Sequence, residues 1–255
     1  MNTWDWEPSV VVGCVALAIG YLAAIRKQSW NRSPYFLGGV LLLLLDLVSP
    51  IDTLGDRYLL SAHIVQHFLL ALVIPPLLLL GTPPWLAKAA MKRPQLNHLE
   101  RALGQPPVSW LLGVVTMLAW HLPPLFNAAL ANDALHVFQH LSFLVTGTIF
   151  WWPILGPLED RHLQPLGAVS YLFSACVCCS LLGAFLTFGP VGLYPAYLNP
   201  DDRLGILRLV RDNWGLDPKN DQQLGGMVMW VPGCFVYLSA IVSTVMRWYG
   251  AERTA

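Results

Sequence analysis

Charged residues are scarce in this sequence. They make up 12% of its 255 residues, about half the share typical of a soluble domain. No long run of lysine or arginine occurs and the formal net charge is zero, so no basic surface is available to neutralise nucleic-acid phosphates, and we expect no nucleic-acid partner. Cysteine is also rare: five residues, an odd number, lie in apolar segments, which argues against a disulfide framework.

Hydrophobic residues dominate instead, at 55% of the chain, with a mean hydropathy of +0.53. Crossing about 30 Å of hydrocarbon takes about 20 mostly apolar residues. The pattern therefore predicts an all-α membrane protein: one polytopic bundle of about seven transmembrane helices in a single domain, 1–255, surrounded by membrane lipid, with an extended outer loop at 189–224. The predicted spans are Ser9–Ile25, Tyr35–Val48, Leu60–Leu80, Val108–Leu122, Leu135–Leu155, Leu166–Phe188 and Gly225–Trp248.

The distribution of basic residues predicts the orientation, because short cytoplasmic loops carry an excess of lysine and arginine. With the N-terminus outside and the C-terminus in the cytoplasm, the short outer loops hold only Arg57, and the other outer basic residues fall in the single long loop. The inner segments hold Arg26, Lys27, Arg32, Lys88, Lys92, Arg93, Arg101, Arg161, Arg247 and Arg253. Met1–Glu7 carries no lysine or arginine, so we expect no cleavable signal before the first span.

One short motif occurs twice, as His63-Ile64-Val65-Gln66-His67 and as His136-Val137-Phe138-Gln139-His140. On a helix the two histidines of each copy lie one turn apart on one face. The predicted orientation brings both pairs to the outer leaflet, together with His121. Five imidazoles at one depth favour a metal site, although a single intramembrane histidine is commonly an interhelical hydrogen-bond partner. Asp46, an ionisable residue at the same end, is an accessory candidate.

Each motif is followed by an apolar run, a proline and a glycine. We therefore interpret spans three and five as duplicated parallel elements that present four histidines to one axis. Gln66 and Gln139, within the motifs, are candidates for orienting the imidazoles, as is Asp221 on the opposite wall.

The last span opens with further candidate residues. Helical spacing divides them into two faces: Gln222 and Met229 on one, Gln223, Met227 and Trp230 on the other. Methionine sulfur is a soft ligand that selects Cu(I), and imidazole also suits copper, so a thioether beside the histidines favours copper, as Cu(I) or Cu(II), as the metal. Cys176 and Cys179 also share a helix face, where either apolar packing or a Cu(I) relay would account for them.

Four groups of motifs follow one another along the chain: Leu59 to His67 with Pro75-Pro76 to Gly81, Trp120-His121-Leu122-Pro123, His136 to His140 with Phe150-Trp151-Trp152-Pro153, and Asp221-Gln222-Gln223 with Gly225-Gly226 and Met229 to Gly233. Together they resemble the CtaG family of bacterial cytochrome c oxidase assembly factors. The resemblance rests on their order and spacing from about Asp46 to Gly233, and it implies a multi-pass protein of the bacterial inner (plasma) membrane that handles copper at the outer face. It implies cytochrome c oxidase subunits as partners, together with periplasmic copper chaperones. The ligand positions that carry over are His63, His67, His121, His136, His140 and Met229. One departure is Asn127, where the family pattern leads us to expect an acidic residue.

Metal transfer rather than catalysis fits this combination, so we expect no enzymatic activity. Three alternatives remain open. A membrane di-iron oxidase or desaturase also uses paired histidines, but with more carboxylates at the cytoplasmic face. A haem protein would take its axial histidines from opposite sides of the porphyrin. A metal-free assembly scaffold or transporter would use the long loop, Gly189–Asn220, as its docking surface.

Overall fold

The computed structural model describes Trp4 and residues 6–252, and this part of the chain is helical without strands, which confirms the predicted all-α class. Twelve α-helices occur in the described residues. They are α1 (Pro8–Ile25), α2 (Ser33–Val48), α3 (Pro50–Arg57), α4 (Leu60–Phe68), α5 (Ile74–Gly81), α6 (Pro84–Ala90), α7 (Pro94–Leu103), α8 (Pro106–Trp120), α9 (Pro123–Leu130), α10 (Asp133–Leu155), α11 (Pro165–Phe188) and α12 (Pro218–Glu252).

Proline explains where most of these helices begin. It occupies the first helical position of eight of them, including α3, α8 and α12. The first N–H groups of a helix have no acceptor within the helix, so the N–H that proline lacks is not missed there, and its fixed φ suits the first turn. Eight of the 20 prolines of the sequence therefore act as helix starts.

Within the described residues, four helical stretches are long and apolar enough to cross a membrane, and two bent helix pairs raise this number to six if each is one span. The four are Pro8–Ile25, Leu60–Gly81, Pro165–Phe188 and Pro218–Gly250, and the pairs are α2 with α3, bent by 47°, and α7 with α8, bent by 70°. The fifth predicted span, on α10, has 23 residues but is not among them, because histidines and a glutamine occupy its first turns. A multi-span helical bundle is supported, while the number seven and the orientation stay predictions.

The third span is not one regular α-helix. A π-helical turn, Leu69–Val73, separates α4 from α5, just before Pro75 and Pro76. Because Pro75 has no N–H, the Ala71 carbonyl four residues earlier loses its usual helical partner, and the indole of Trp151 on α10 donates to it instead at 3.3 Å. The proline therefore creates an acceptor that joins the third span to α10.

Helices α11 and α12 pack at very close range through two glycines. A Cβ placed on Gly226 would lie 2.5 Å from the backbone nitrogen of Thr187 and 2.8 Å from the Gly183 carbonyl oxygen, and one placed on Gly183 would meet Trp230. Small residues that let helix backbones approach are the usual packing device inside membranes. This contact positions α12, whose first turn reaches the histidine motifs.

The long loop after α11 folds back onto the start of the third span. It contains a 3₁₀ turn, Pro195–Tyr197, and a π turn, Leu209–Asn213. Val210 is buried in a small apolar cluster with Tyr58 and Leu59, and the Tyr58 hydroxyl accepts a hydrogen bond from the Leu204 N–H at 3.0 Å. The loop is therefore an ordered cover over the helix ends.

Gly226→Ala should separate α11 from α12 and destabilise the protein, because overpacking of a close contact typically costs about 1–3 kcal/mol. Thermal unfolding of the detergent-purified protein measures the effect. Gly20→Ala on α1 is the matched control, because nothing lies within 4 Å of a Cβ there and alanine favours a helix by up to about 1 kcal/mol. Equal melting temperatures for the two variants would contradict the close-packing role of Gly226.

Candidate metal centre

The ends of several helices meet at one end of the bundle. Asp221 in the first turn of α12 holds the start of α4: its carboxylate accepts hydrogen bonds from the Leu60 N–H at 2.7 Å, the Ser61 N–H at 3.0 Å and the Ser61 hydroxyl at 2.5 Å. The first N–H groups of a helix have no partner within the helix, and an apolar environment makes them costly to leave unpaired. Asp221 therefore anchors the turn that carries His63.

Three of the motif histidines form a compact cluster. His63 of α4 and His136 and His140 of α10 each offer a ring nitrogen, and these nitrogens lie within 4.8 Å of one another. The ring of His63 has its centroid 5.2 Å from that of His136 and 5.7 Å from that of His140. Three of the four motif histidines, from both copies, therefore converge on one point, and the duplication of the two spans stays an interpretation.

Asp56, in the last turn of α3, brings a carboxylate to this histidine cluster. Its Oδ1 lies 3.7 Å from the Nδ1 of His63 and 3.5 Å from the Nε2 of His136. These separations are too long for good hydrogen bonds, but they suit groups that share an ion between them. The side chain of Asp56 is 34% exposed and that of His63 fully buried, so the carboxylate stands on the open side of the cluster.

His67 and His121 form a pair behind the cluster of His63, His136 and His140. The Nδ1 of His67 lies 3.5 Å from the Nε2 of His121, and the Nδ1 of His121 lies 2.6 Å from the Met117 carbonyl oxygen. Because a carbonyl only accepts, His121 must donate from Nδ1, and in its neutral form its Nε2 then accepts. His67 accordingly donates from Nδ1 and keeps a lone pair on Nε2. This chain from a backbone carbonyl fixes the tautomers of both rings.

The arrangement fits a metal ion. The Nε2 atoms of His67 and His140 have no hydrogen-bond partner among the described residues, and that of His136 faces only Asp56. Buried polar atoms are normally paired, so unpaired lone pairs at a shared point indicate a ligand. Metal–imidazole bonds of about 2.0–2.1 Å place ligating nitrogens roughly 3–4 Å apart, slightly closer than those of His63, His136 and His140 lie here.

Aromatic residues and the long loop cover the histidines. Phe126 of α9 is fully buried, and its ring centroid is 5.0 Å from that of His63 and 5.9 Å from that of His67. The Tyr194 hydroxyl donates to the His121 carbonyl and the Tyr197 hydroxyl to the Gly55 carbonyl, each at 2.7 Å. Burial raises the pKa of both tyrosines, so they stay neutral hydrogen-bond donors at physiological pH.

Gln66 contacts the preceding helices. Its amide nitrogen donates to the Asp46 carbonyl at 3.1 Å and to the Asp52 carboxylate at 2.9 Å. The Asp46 carboxylate is buried, 1% exposed, and neither oxygen has a hydrogen-bond partner among the described residues. A Cβ on Gly55 would lie 2.7 Å from the Gln66 side-chain oxygen and 3.0 Å from the His63 Cα, so this glycine lets α3, with Asp56, approach α4.

The other accessory candidates have separate surroundings. Gln222 donates to the carbonyls of Leu186, Gly189 and Pro190 at the end of α11, which joins α12 to the start of the long loop. Gln139 is buried with no partner for its side-chain amide among the described residues. Gln223 is partly buried, and Asn127, at the departure from the family pattern, donates to the Leu193 carbonyl at 3.2 Å.

Met229 is buried on α12, and its carbonyl accepts a hydrogen bond from the Cys179 thiol at 3.3 Å. The Met229 backbone therefore contacts α11, and the role of the Met229 side chain as a copper ligand stays a prediction. Met227 is 45% exposed, and the Trp230 ring meets that of Phe188 on α11.

Asp56 is the residue of the cluster that sequence reasoning missed. It stands outside every predicted span, one helical turn after Asp52 in a short polar segment. The signal was the pair of acids spaced four residues apart immediately before the first histidine motif. On a short helix such residues share a face.

The fold and this cluster define a helical, multi-span protein with a candidate histidine and carboxylate metal centre. The chain belongs to the family described as cytochrome c oxidase caa3 assembly factor, which it matches over residues 15–251. This match confirms the resemblance expected from the motifs.

Two curated relatives are uncharacterised mycobacterial proteins. That of Mycobacterium leprae is 25% identical over 97% of this chain and 40% of the relative, and that of Mycobacterium bovis is 27% identical over 99% and 40%. The chain thus spans about two fifths of the length of these relatives. No solved structure is significantly similar to it.

Asp221→Ala should destabilise the protein by at least about 1.5–3 kcal/mol, the usual contribution of a hydrogen bond to a charged group, because the variant leaves the start of α4 without its acceptors. Asp221→Asn, which keeps one acceptor oxygen, should lose less. Thermal unfolding measures both, with Asp201→Ala in the exposed loop as control. An Asp221→Ala variant as stable as this control would remove Asp221 as the anchor of α4.

Proposed function

We propose that this oxidase assembly factor binds copper at His63, His136 and His140, with Asp56 at the mouth of the cluster, and passes the ion to a cytochrome c oxidase subunit. The observation that supports this most is the convergence of ring nitrogens from both copies of the motif within 4.8 Å. Family membership supports the assembly role. Imidazole is a ligand that suits copper, which supports copper as the ion that is passed on.

A graded exposure supports transfer rather than permanent storage. The side chain of His63 is fully buried, that of His136 is 16% exposed and that of Asp56 is 34% exposed. An ion can therefore enter and leave on the Asp56 side while His63 holds it from within. A closed tetrahedral cage, by contrast, is typical of structural metal sites.

His67 and His121 support the cluster from behind. His67 donates to His121, and His121 donates to the Met117 carbonyl. These hydrogen bonds hold the His67 ring, whose Nε2 keeps its lone pair. Partners of this kind commonly set the tautomer and orientation of metal-binding histidines. His67 is thus a further ligand candidate behind His63, and His121 orients it.

The centre faces the outside of a bacterial inner membrane in this proposal. The positive-inside distribution supports this orientation, and the ordered loop from Gly189 to Asn220 then lies on the periplasmic side. We assign this loop the docking of an oxidase subunit or of a periplasmic copper chaperone, because Tyr194 and Tyr197 connect it to the carbonyls of His121 and of Gly55, the residue before Asp56.

Asp56 favours a second candidate, a non-haem iron centre. Histidines combined with one carboxylate are typical of iron as well as of copper and zinc sites. Such a centre would make the protein an oxidase of the membrane rather than a copper carrier. The metal content of the purified protein distinguishes the two.

His63→Ala and His136→Ala should each remove the copper that the wild-type protein binds at this centre, because each takes one ligand from the shared point. Metal content by mass spectrometry and anaerobic Cu(I) titration of the detergent-purified chain measure the loss. His98→Ala is the matched control, because this histidine is exposed on α7. Asp56→Asn should weaken binding about 10- to 100-fold, as for other residues that support metal ligands.

Copper retained in both histidine variants would overturn the proposed centre. Iron as the bound metal would favour the second candidate. A Met229→Leu variant with unchanged affinity would remove this methionine from the ligand set.

Reporter fusions test the orientation. Alkaline phosphatase inserted at Gly205 in the long loop should be active, because this enzyme matures only outside the cytoplasm, and green fluorescent protein at the C-terminus should be fluorescent. The reverse pattern would place the histidine cluster on the cytoplasmic side and contradict delivery to a periplasmic partner. A fusion of phosphatase to the loop between α6 and α7, at Lys92, is the internal control and should be inactive.

A further inference from the structure

Helices α11 and α12 bring several thiols together away from the histidines. The Sγ of Cys176 lies 3.5 Å from the Sγ of Cys234, and the Ser180 hydroxyl oxygen lies 3.2 Å from the same Cys234 sulfur. Cys176 is buried and Cys234 partly buried, and both thiols are free. Two soft donors from two different helices thus face each other.

We propose that Cys176 and Cys234 form a second metal site, which binds one Cu(I) ion between α11 and α12. This inference goes beyond the proposed function, because neither residue contacts the histidine cluster. Cys234 lies about 20 Å farther along α12 than Asp221, at about 1.5 Å per residue, whereas Asp221 is at the level of the histidine motifs. The two sites are therefore at different depths of the bundle.

Helix packing produces the juxtaposition. Cys176 and Ser180 lie one turn apart on the same face of α11, and the Ser180 hydroxyl donates to the Cys176 carbonyl at 2.8 Å. Since that bond uses the only hydroxyl proton, the Ser180 oxygen accepts from the Cys234 thiol. Gly233 permits the close approach, because a Cβ there would lie 3.0 Å from the Cys179 sulfur.

The ligand chemistry selects a soft, monovalent ion. Sulfur ligands select Cu(I). Two sulfurs 3.5 Å apart need to move only slightly farther apart to hold one ion between them. Binding releases one thiol proton to the solvent, and the resulting thiolate neutralises the single charge of Cu(I), while the second sulfur coordinates through a lone pair. The complex therefore adds no net charge to the apolar interior, where an unpaired charge is costly.

Cys179 and Cys178 remain outside this site. The Cys179 thiol donates to the Met229 carbonyl, and Cys178, two residues along the helix from Cys176, projects from a different face. A four-coordinate ion such as Zn²⁺, which normally takes four ligands, is therefore not matched by the pair.

Anaerobic Cu(I) titration against a chromogenic competitor tests the second site on the full-length detergent-purified chain. We expect two equivalents in the wild type, one in Cys176→Ser and in Cys234→Ser, and two in the Cys14→Ser control, whose cysteine lies on α1. The ultraviolet charge-transfer band of a Cu(I)–sulfur bond should disappear in the two cysteine variants and persist in His63→Ala/His136→Ala. Failure of the histidine centre would leave this band in place, so the two proposals fail separately.

Alkylation of the wild-type chain tests the same site without any variant that alters folding. Cu(I) should protect Cys176 and Cys234 from N-ethylmaleimide at least about tenfold, as measured by peptide mass spectrometry, and leave Cys14 unchanged. An unchanged stoichiometry and charge-transfer band in the cysteine variants, or equal alkylation of Cys176 and Cys234 with and without Cu(I), would overturn the second site.

Discussion

The hydrogen bonds from Asp221 to the start of α4 are the interaction on which the rest of this end of the molecule depends. A helix that starts inside an apolar bundle exposes N–H groups that no solvent can satisfy. Asp221, 160 residues later in the chain than Ser61, supplies the acceptors. The close glycine contact between α11 and α12 fixes the position of α12 and therefore of Asp221. His63, the fourth residue of α4, is thereby fixed, and Gly55 lets α3 with its Asp56 approach it.

Buried polarity is concentrated rather than scattered in this bundle. The histidines, Gln66, Asp46 and Asp221 lie around the joined helix ends, and most of their contacts run between different helices. Each buried polar atom is costly unless a partner or an ion satisfies it. The tyrosines of the long loop complete the arrangement by donating to carbonyls beside the cluster. Stability and the proposed metal binding thus involve the same residues, so replacing one candidate ligand should also affect packing.

Much of the fold and part of the centre could be predicted from the sequence. Hydropathy predicts the helical membrane class, and the repeated His-x-x-Gln-His motif predicts paired imidazoles, because residues four apart share a helix face. Motif order also predicts the family that the whole-chain match confirms. Asp56 was missed because its contact with His63 and His136 crosses between helices, and the contact of Met229 with α11 depends on how α12 is rotated. The hydrogen bond from Trp151 to the Ala71 carbonyl, which Pro75 leaves without its helical partner, likewise crosses between helices.

The sequence by itself determined the membrane class, the helix starts at proline and the pairing of histidines within each motif. The membrane class follows from the length of the apolar segments, and the other two follow from local helix geometry. Only the tertiary structure decided which imidazoles converge, which carboxylate faces them and which thiols meet between α11 and α12. Those contacts join residues far apart in the chain, and their distances depend on how closely helix backbones pack, which in this protein depends on single glycines at the crossing points.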